Sequence, residues 1–146
     1  EDFITNKFFE VYPLLKVMLD NDYRYAIRYA LICDEFGRVR LVPEAKSQIK
    51  RIRNEGTRKA GNHPEQGSAQ GTIKIAMARI LPLCRKFGDK VVKPLLQIHD
   101  ELIFQIIKSF SREFIELARL EMEAATPLTI PVRSSADIAE RWGDFK

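Results

Sequence analysis

Residues 95–105 read Leu-Leu-Gln-Ile-His-Asp-Glu-Leu-Ile-Phe-Gln, an apolar strand running into a His-Asp-Glu tip and a second apolar strand running out. Such a pattern predicts a β-hairpin. Successive side chains alternate faces along a strand, so Ile98 and Leu102 are expected to pack inward while Asp100 sits at the exposed apex. Two acidic groups at the tip of a buried hairpin are costly to place unless something positive lies between them and a partner. In a basic chain the candidates are divalent metal ions beside a phosphate. An Asp at that apex can ligate Mg²⁺, which prefers carboxylate oxygens and keeps positions open for water and phosphate. His99 and Glu101 flank it. The plain alternative is a solvated polar turn.

The chain has 146 residues, 45% hydrophobic and 30% charged, the size and balance of one globular domain with a real core. No apolar run approaches the ~20 residues of a membrane span, and no secretory signal opens the sequence. Residue 1 is Glu rather than Met, so a trimmed or partial product is expected. Cys33 and Cys84 are too few for a disulfide framework, and with two His they offer no zinc spacing, which points to a reducing intracellular compartment. The net charge of +4 is unevenly spread. From Arg38 to Lys59 eight Lys/Arg face only Glu44 and Glu55, a local +6. That density suits a phosphate backbone as partner, or else a solvated helix face.

Spacing of Phe8, Phe9, Tyr12 and Leu15 predicts a helix from Phe3 towards Met18, broken near Pro13, and a second helix through Tyr23–Leu31. Residues 35–43 change period around Gly37 and predict a short strand or hairpin. A polar helix is expected over 45–61, stopped by Gly61-Asn-His-Pro64, and then an apolar helix to Gly88 that Pro82 kinks. The hairpin follows, then a helix at 111–125 with Ser111 as N-cap and a strand at 128–134. Helices with an antiparallel sheet make an α+β arrangement.

Two more groups of residues carry chemistry. Asn62 and Gln66 offer amides that donate to the acceptors every base pair shows in the minor groove, beside Gly67, Ser68 and Ala69, which are small enough for a groove to approach. A helix start with capping amides is the alternative. Arg51, Asn54, Arg58 and Asn62 fall at helical spacing in one stripe, suited to holding a strand by its phosphates.

Three segments resemble family A DNA polymerases, the bacterial DNA polymerase I type. They are Phe36-Gly-Arg-Val-Arg-Leu-Val-Pro43, Asn62-His-Pro-Glu-Gln-Gly-Ser-Ala69 and the His99-Asp-Glu101 string, in the family's order. Softer likeness at Pro127-Leu-x-Ile-Pro-Val and Trp142 extends the match over nearly the whole chain. The resemblance implies residues 1–62 as the end of a fingers subdomain and 63–146 as half of a palm. The function implied is template-directed transfer of a nucleotide from a dNTP to a primer 3′-hydroxyl by a two-metal mechanism. In that scheme Asp100 is catalytic and holds metal, Glu101 is an accessory acid, and His99 touches the primer terminus. Asn62 and Gln66 check the minor groove, while Arg58, Arg51, Arg38 and Arg40 hold DNA. Two Mg²⁺ ions would be shared with a missing segment.

The family's first metal-binding motif, Asp-Tyr-Ser-x-x-Glu, and its nucleotide-binding helix have no counterpart here. Asp22-Tyr-Arg-Tyr-Ala-Ile-Arg28 lacks the needed Ser and Glu and is rejected as a substitute. The chain is therefore expected to be inactive alone. Its expected partners are primer–template DNA, dNTP and the remaining polymerase segment or subunit, with no membrane. The family type places it in the cytoplasm of a bacterium or phage-infected cell, or in an organelle. Gln105 stands where the family commonly has Glu, and Glu65 adds a negative charge near the groove-reading amides. A non-catalytic DNA-binding or assembly module is the competing class, and a metal-dependent nuclease lacks the further carboxylates it would need.

Overall fold

Pro13 begins a helix instead of breaking one. Its missing N–H and fixed φ suit the first helical position, so α1 (Asp2–Val11) ends before it and α2 (Pro13–Tyr29) starts on it. The two helices expected over residues 3–31 therefore divide at Tyr12, and Tyr23 lies inside α2. The computed structural model describes residues 2–126 and 129–144. The chain divides into two compact units, one running through Ser68 and the other starting at Ala69.

In the first unit, α2 ends on Ala30, whose φ of +60° turns the chain into β1 (Leu31–Cys33). β1 pairs antiparallel with β2 (Val39–Leu41), Ile32 opposite Arg40. Of the short strand or hairpin expected over 35–43, β2 lies inside that range, and its partner β1 lies wholly before it. A 3-10 turn at Pro43–Lys46 follows. Ala26, Ile32, Val42, Ala45 and Ala60 form the buried core, and three of these five are alanine. Elements meeting through alanine lie close together. An added Cβ at Gly56 would come within 2.3 Å of the Ala45 backbone nitrogen, and one at Gly61 within 2.8 Å of the Tyr23 ring.

Gly61–Pro64 reads as a break between two helices; the structure has one, α3 (Lys50–Phe87), running through both Pro64 and Pro82. Each proline removes one main-chain donor, which ordinarily kinks or ends a helix. At Pro64 packing overrides the local stop, while Pro82 lies inside the helix as expected. Ala60 and Gly61 are buried just before Pro64, and Ile80 and Cys84 are buried on either side of Pro82.

In the second unit, β3 (Val92–Ile98) and β4 (Glu101–Ile106) form the expected hairpin. The pairing steps from Pro94↔Phe104 to Leu96↔Ile103, so Leu95 is an extra residue, a β-bulge beside a proline that has no donor to offer the ladder. Leu102, Phe104 and Ile106 face a core of Ile80, Cys84, Val92, Phe114 and Ala118. Phe114 meets Phe87 and Phe104 edge to face, with centroids 5.7 and 5.1 Å apart. Phe114 comes from α4 (Ser111–Glu123). Ser111 is the first residue of that helix, and its hydroxyl donates to the Lys108 carbonyl at 2.9 Å, so it does not cap as expected.

No strand forms over 129–134, where Pro131 interrupts donors; Leu128 of the expected strand lies outside the described residues. That segment is fixed by side chains instead: Arg119 donates to the Ser134 carbonyl and Glu123 accepts from the Ser134 amide. Among the described residues, no helix is long and apolar enough to cross a membrane.

Gly56→Ala should destabilise the first unit. The gain in helix propensity is about 1 kcal/mol, and the overlap falls on backbone atoms that cannot rotate away, costing about 1–3 kcal/mol. A lower urea midpoint is the expected result; an unchanged or higher one would contradict this packing.

Candidate nucleic-acid interface and metal-binding turn

The first unit places Arg51, Asn54, Arg58 and Asn62 on one helix, all exposed, as the spacing predicted. Arg51, Asn54, Glu55 and Arg58 line a shallow depression of about 390 Å³. Lys59, counted in the same basic block, is committed elsewhere: its ammonium lies 2.9 Å from Glu44 and 2.8 Å from Glu55. Bonds to Lys59 hold both carboxyls below their usual range. The guanidinium groups of Arg51 and Arg58, with the exposed ammonium of Lys50 one residue before the stripe, are positive charge this stretch of α3 presents. Arg40 and Gln66 are exposed as well.

Arg38 differs from the other candidates. Asp34 has a fully buried side chain that accepts the Phe36 amide at 3.0 Å, the Arg38 amide at 2.9 Å and Arg38 Nε at 2.7 Å. A second guanidinium nitrogen of Arg38 donates to the Gly67 carbonyl. Burial pushes the Asp34 carboxyl up, but the Arg38 amide, the Arg38 guanidinium and the Phe36 amide outweigh it and hold the group below the usual carboxylate range. Gly67 and Ser68, expected to leave room for a groove, are used internally. Asp34 fills the place of a Cβ on Gly67, and Ser68 Oγ accepts the Glu35 amide at 3.2 Å. An Asp two residues before Phe36-Gly37 is an Asx-turn signature, the signal that could have revealed Asp34 in the sequence.

Asp22, set aside as a metal ligand, lies in α2 with Oδ2 buried and no hydrogen-bond partner. Burial, then the negative charge of Glu65, pushes its carboxyl up.

In the second unit, Ile98 pairs with Glu101, so His99 and Asp100 form a two-residue turn. His99, Asp100 and Glu101 are exposed, Asp100 at the apex as expected. His99 has φ +52°, the left-handed conformation that such turns demand and that Gly, Asn or Asp adopts more easily. A non-glycine residue held there costs on the order of 1–3 kcal/mol, and residues so held cluster at functional sites. Gln97 Nε2 donates to the His99 carbonyl at 2.8 Å and reaches Gln70 Oε1 at 3.5 Å, fastening the turn from behind. No local sequence pattern marks Gln97 for this role.

Mg²⁺ commonly takes one or two protein carboxylates and completes its shell with water and phosphate. An exposed Asp100 with Glu101 adjacent fits such a partial donor set. Among the described residues, no cluster of three or more His, Cys, Asp or Glu is assembled to hold an ion. Cys84 is buried, and burial pushes its thiol up, away from nucleophilic chemistry.

The profile of DNA polymerase family A matches residues 2–144. The chain belongs to DNA polymerase family A. It is 31% identical over 136 residues to the thermostable DNA polymerase I of Thermus thermophilus, covering 93% of this chain and 16% of that protein. DNA polymerase I of Caldicellulosiruptor bescii is 32% identical over 141 residues, covering 97% and 16%. That of Streptococcus pneumoniae serotype 4 is 33% identical over 139 residues, covering 95% and 16%. The chain thus spans about one-sixth of the length of these relatives. Among solved structures, the POL domain of Pol1 from M. smegmatis, in complex with DNA primer-template and dNTP, aligns with a TM-score of 0.80 and 30% identity. That alignment covers 87% of this chain and 22% of the other.

Two outcomes follow. His99→Gly should raise stability by about 1 kcal/mol by relieving the left-handed residue, seen as a higher urea midpoint; a fall would mean that the turn is unstrained. For Asp22, a folded-state pKa raised above the unfolded one means that ionisation disfavours the fold. Asp22→Asn should therefore raise the thermal midpoint at pH 7, with the gain vanishing as pH falls below about 4, the unfolded carboxylate range.

Proposed function

We propose that this chain supplies part of the active centre of a DNA-directed DNA polymerase, acting within a longer polypeptide or a complex. Residues 1–62 end the fingers and residues 63–146 form half of the palm. The observation that carries this reading is the two-residue His99-Asp100 turn at an exposed hairpin tip, in a chain of family A. The reaction is nucleotidyl transfer from a dNTP to the primer 3′-hydroxyl, with release of pyrophosphate.

Asp100 and Glu101 would hold Mg²⁺ together with a carboxylate from outside these residues. Mg²⁺ held there would supply Lewis-acid activation of the 3′-hydroxyl and charge neutralisation at the phosphates. The chain's own residues position. His99 meets the primer terminus, and the ladder and Gln97 hold its backbone so that no ordering is needed on binding. Arg58 and Arg51 grip template phosphates, and Arg40 adds charge on the same unit. Asn62 and Gln66 donate to minor-groove acceptors, checking pair geometry without reading sequence.

Primer extension and DNA affinity test this reading. The 146-residue chain alone should bind primer–template and fail to extend it. In the assembled polymerase, Asp100→Ala should lower extension on the order of 10³-fold while leaving DNA affinity nearly intact. Extension that survives Asp100→Ala would remove its ligand role. Binding indifferent to Mg²⁺, with no effect of Asp100→Ala on synthesis, would favour a non-catalytic DNA-binding module.

A further inference from the structure

The turn at Asp34–Arg38 is over-connected for a surface loop. Besides the bonds already described, the Asp34 amide donates to the Arg38 carbonyl at 3.1 Å, and Gly37 returns to the Asp34 carbonyl at 2.9 Å. His63 Nε2 lies 3.2 Å from the Arg38 carbonyl. Arg38 therefore meets α3 at two places one turn apart, His63 through its carbonyl and Gly67 through its guanidinium. Asn62 and Gln66 are the residues immediately before these two. A helix held at His63 and Gly67 cannot rotate or slide there, so the side of the helix from which Asn62 and Gln66 project is set.

Charge leads to the same point. Asp34 is fully buried on its side chain and Arg38 is 38% exposed. A buried carboxylate that loses its partner is left unpaired at a large cost. A DNA phosphate drawing the Arg38 guanidinium outward would have to break the bonds to Asp34 and to the Gly67 carbonyl together. Arg58, with no such bonds, is the better phosphate ligand.

We infer that Asp34 and Arg38 are positioning residues, a clamp that sets Asn62 and Gln66 towards duplex DNA, and that Arg38 does not contact phosphate. This rests on the DNA reading proposed above. Gly67 is part of the same device, since a Cβ there would meet Asp34 Oδ2 at 2.8 Å.

The test uses Asp34→Asn and Arg38→Lys, singly and together. Lys keeps the charge a phosphate needs but lacks the fork that spans a carboxylate and a carbonyl. Primer–template affinity is measured across salt concentrations, with Arg58→Ala as the contact reference. Each single variant should weaken binding about tenfold, the double should be no worse than either single, and the salt slope should stay at the wild-type value. Arg58→Ala should lower that slope by about 1. Full affinity in Arg38→Lys, or additive losses in the double variant, would overturn the clamp.

A second readout needs no DNA. The chain has two histidines, so the imidazole proton signals in an NMR spectrum are assigned by one His63→Gln variant. The His63 signal should move in Asp34→Asn and in Arg38→Lys, while the His99 signal stays. A His63 signal that stays fixed would overturn the clamp whatever the affinities show. If the wild type binds no primer–template yet the His63 signal moves, the clamp stands and the DNA reading falls. Should either variant fail to fold, Gly67→Ala loads the clamp from the helix side with both partners intact, and the same shift is expected.

Discussion

Close approach of backbone to backbone is the constraint on which the first unit depends. Its core is three alanines with one isoleucine and one valine, too little side-chain volume to hold elements at ordinary helix separations. The first half of α3 therefore presses directly on its neighbours, and Gly56, Gly61 and Gly67 mark where it does so. With so few large side chains to interlock, orientation is supplied by polar groups: Lys59 between Glu44 and Glu55, and Asp34 with Arg38. Charge that sequence reading assigns to a partner is thereby divided, some of it structural and some presented outward.

The second unit is stabilised differently. Phe87, Phe104 and Phe114 pack edge to face, and the apolar side of β4 seals against them. A rigid apolar base of this kind can carry an unfavourable residue at its tip, because the ladder on both sides determines the turn. His99 in a left-handed conformation and an exposed Asp100 are tolerated there, and Gln97 ties the strained carbonyl to the strand behind it. Geometry at the tip is set in advance, and any ligand arriving there finds it already formed.

Much of this was legible. The hairpin in residues 95–105 and the stripe from Arg51 to Asn62 follow from the patterns of strand and helix, and both are present. The family was readable because three short segments keep their order. Local signals failed where tertiary packing decided. Pro64 reads as a stop, yet buried Ala60 and Gly61 carry the helix through it. Ser111 reads as a cap, yet it sits inside the first turn of α4. The commitment of Arg38 to Asp34 and Gly67 depends on a contact 29 residues away in sequence. No one-dimensional pattern distinguishes it from Arg40, two positions on, which is exposed.

The β3–β4 hairpin also limits how such a chain can change by insertion. Leu102, Phe104 and Ile106 face the core because they lie an even number of residues past the end of the two-residue loop His99-Asp100. One residue inserted between Glu101 and Leu102 would turn all three outward and bring Ile103 and Gln105 in. On β3 a single extra residue is already absorbed by the bulge at Leu95, where Pro94 offers no donor to lose. The carboxylate at the tip and the aromatic core beneath it thus share one reading frame of side-chain direction, and lineages carrying this hairpin can vary it by substitution far more readily than by length.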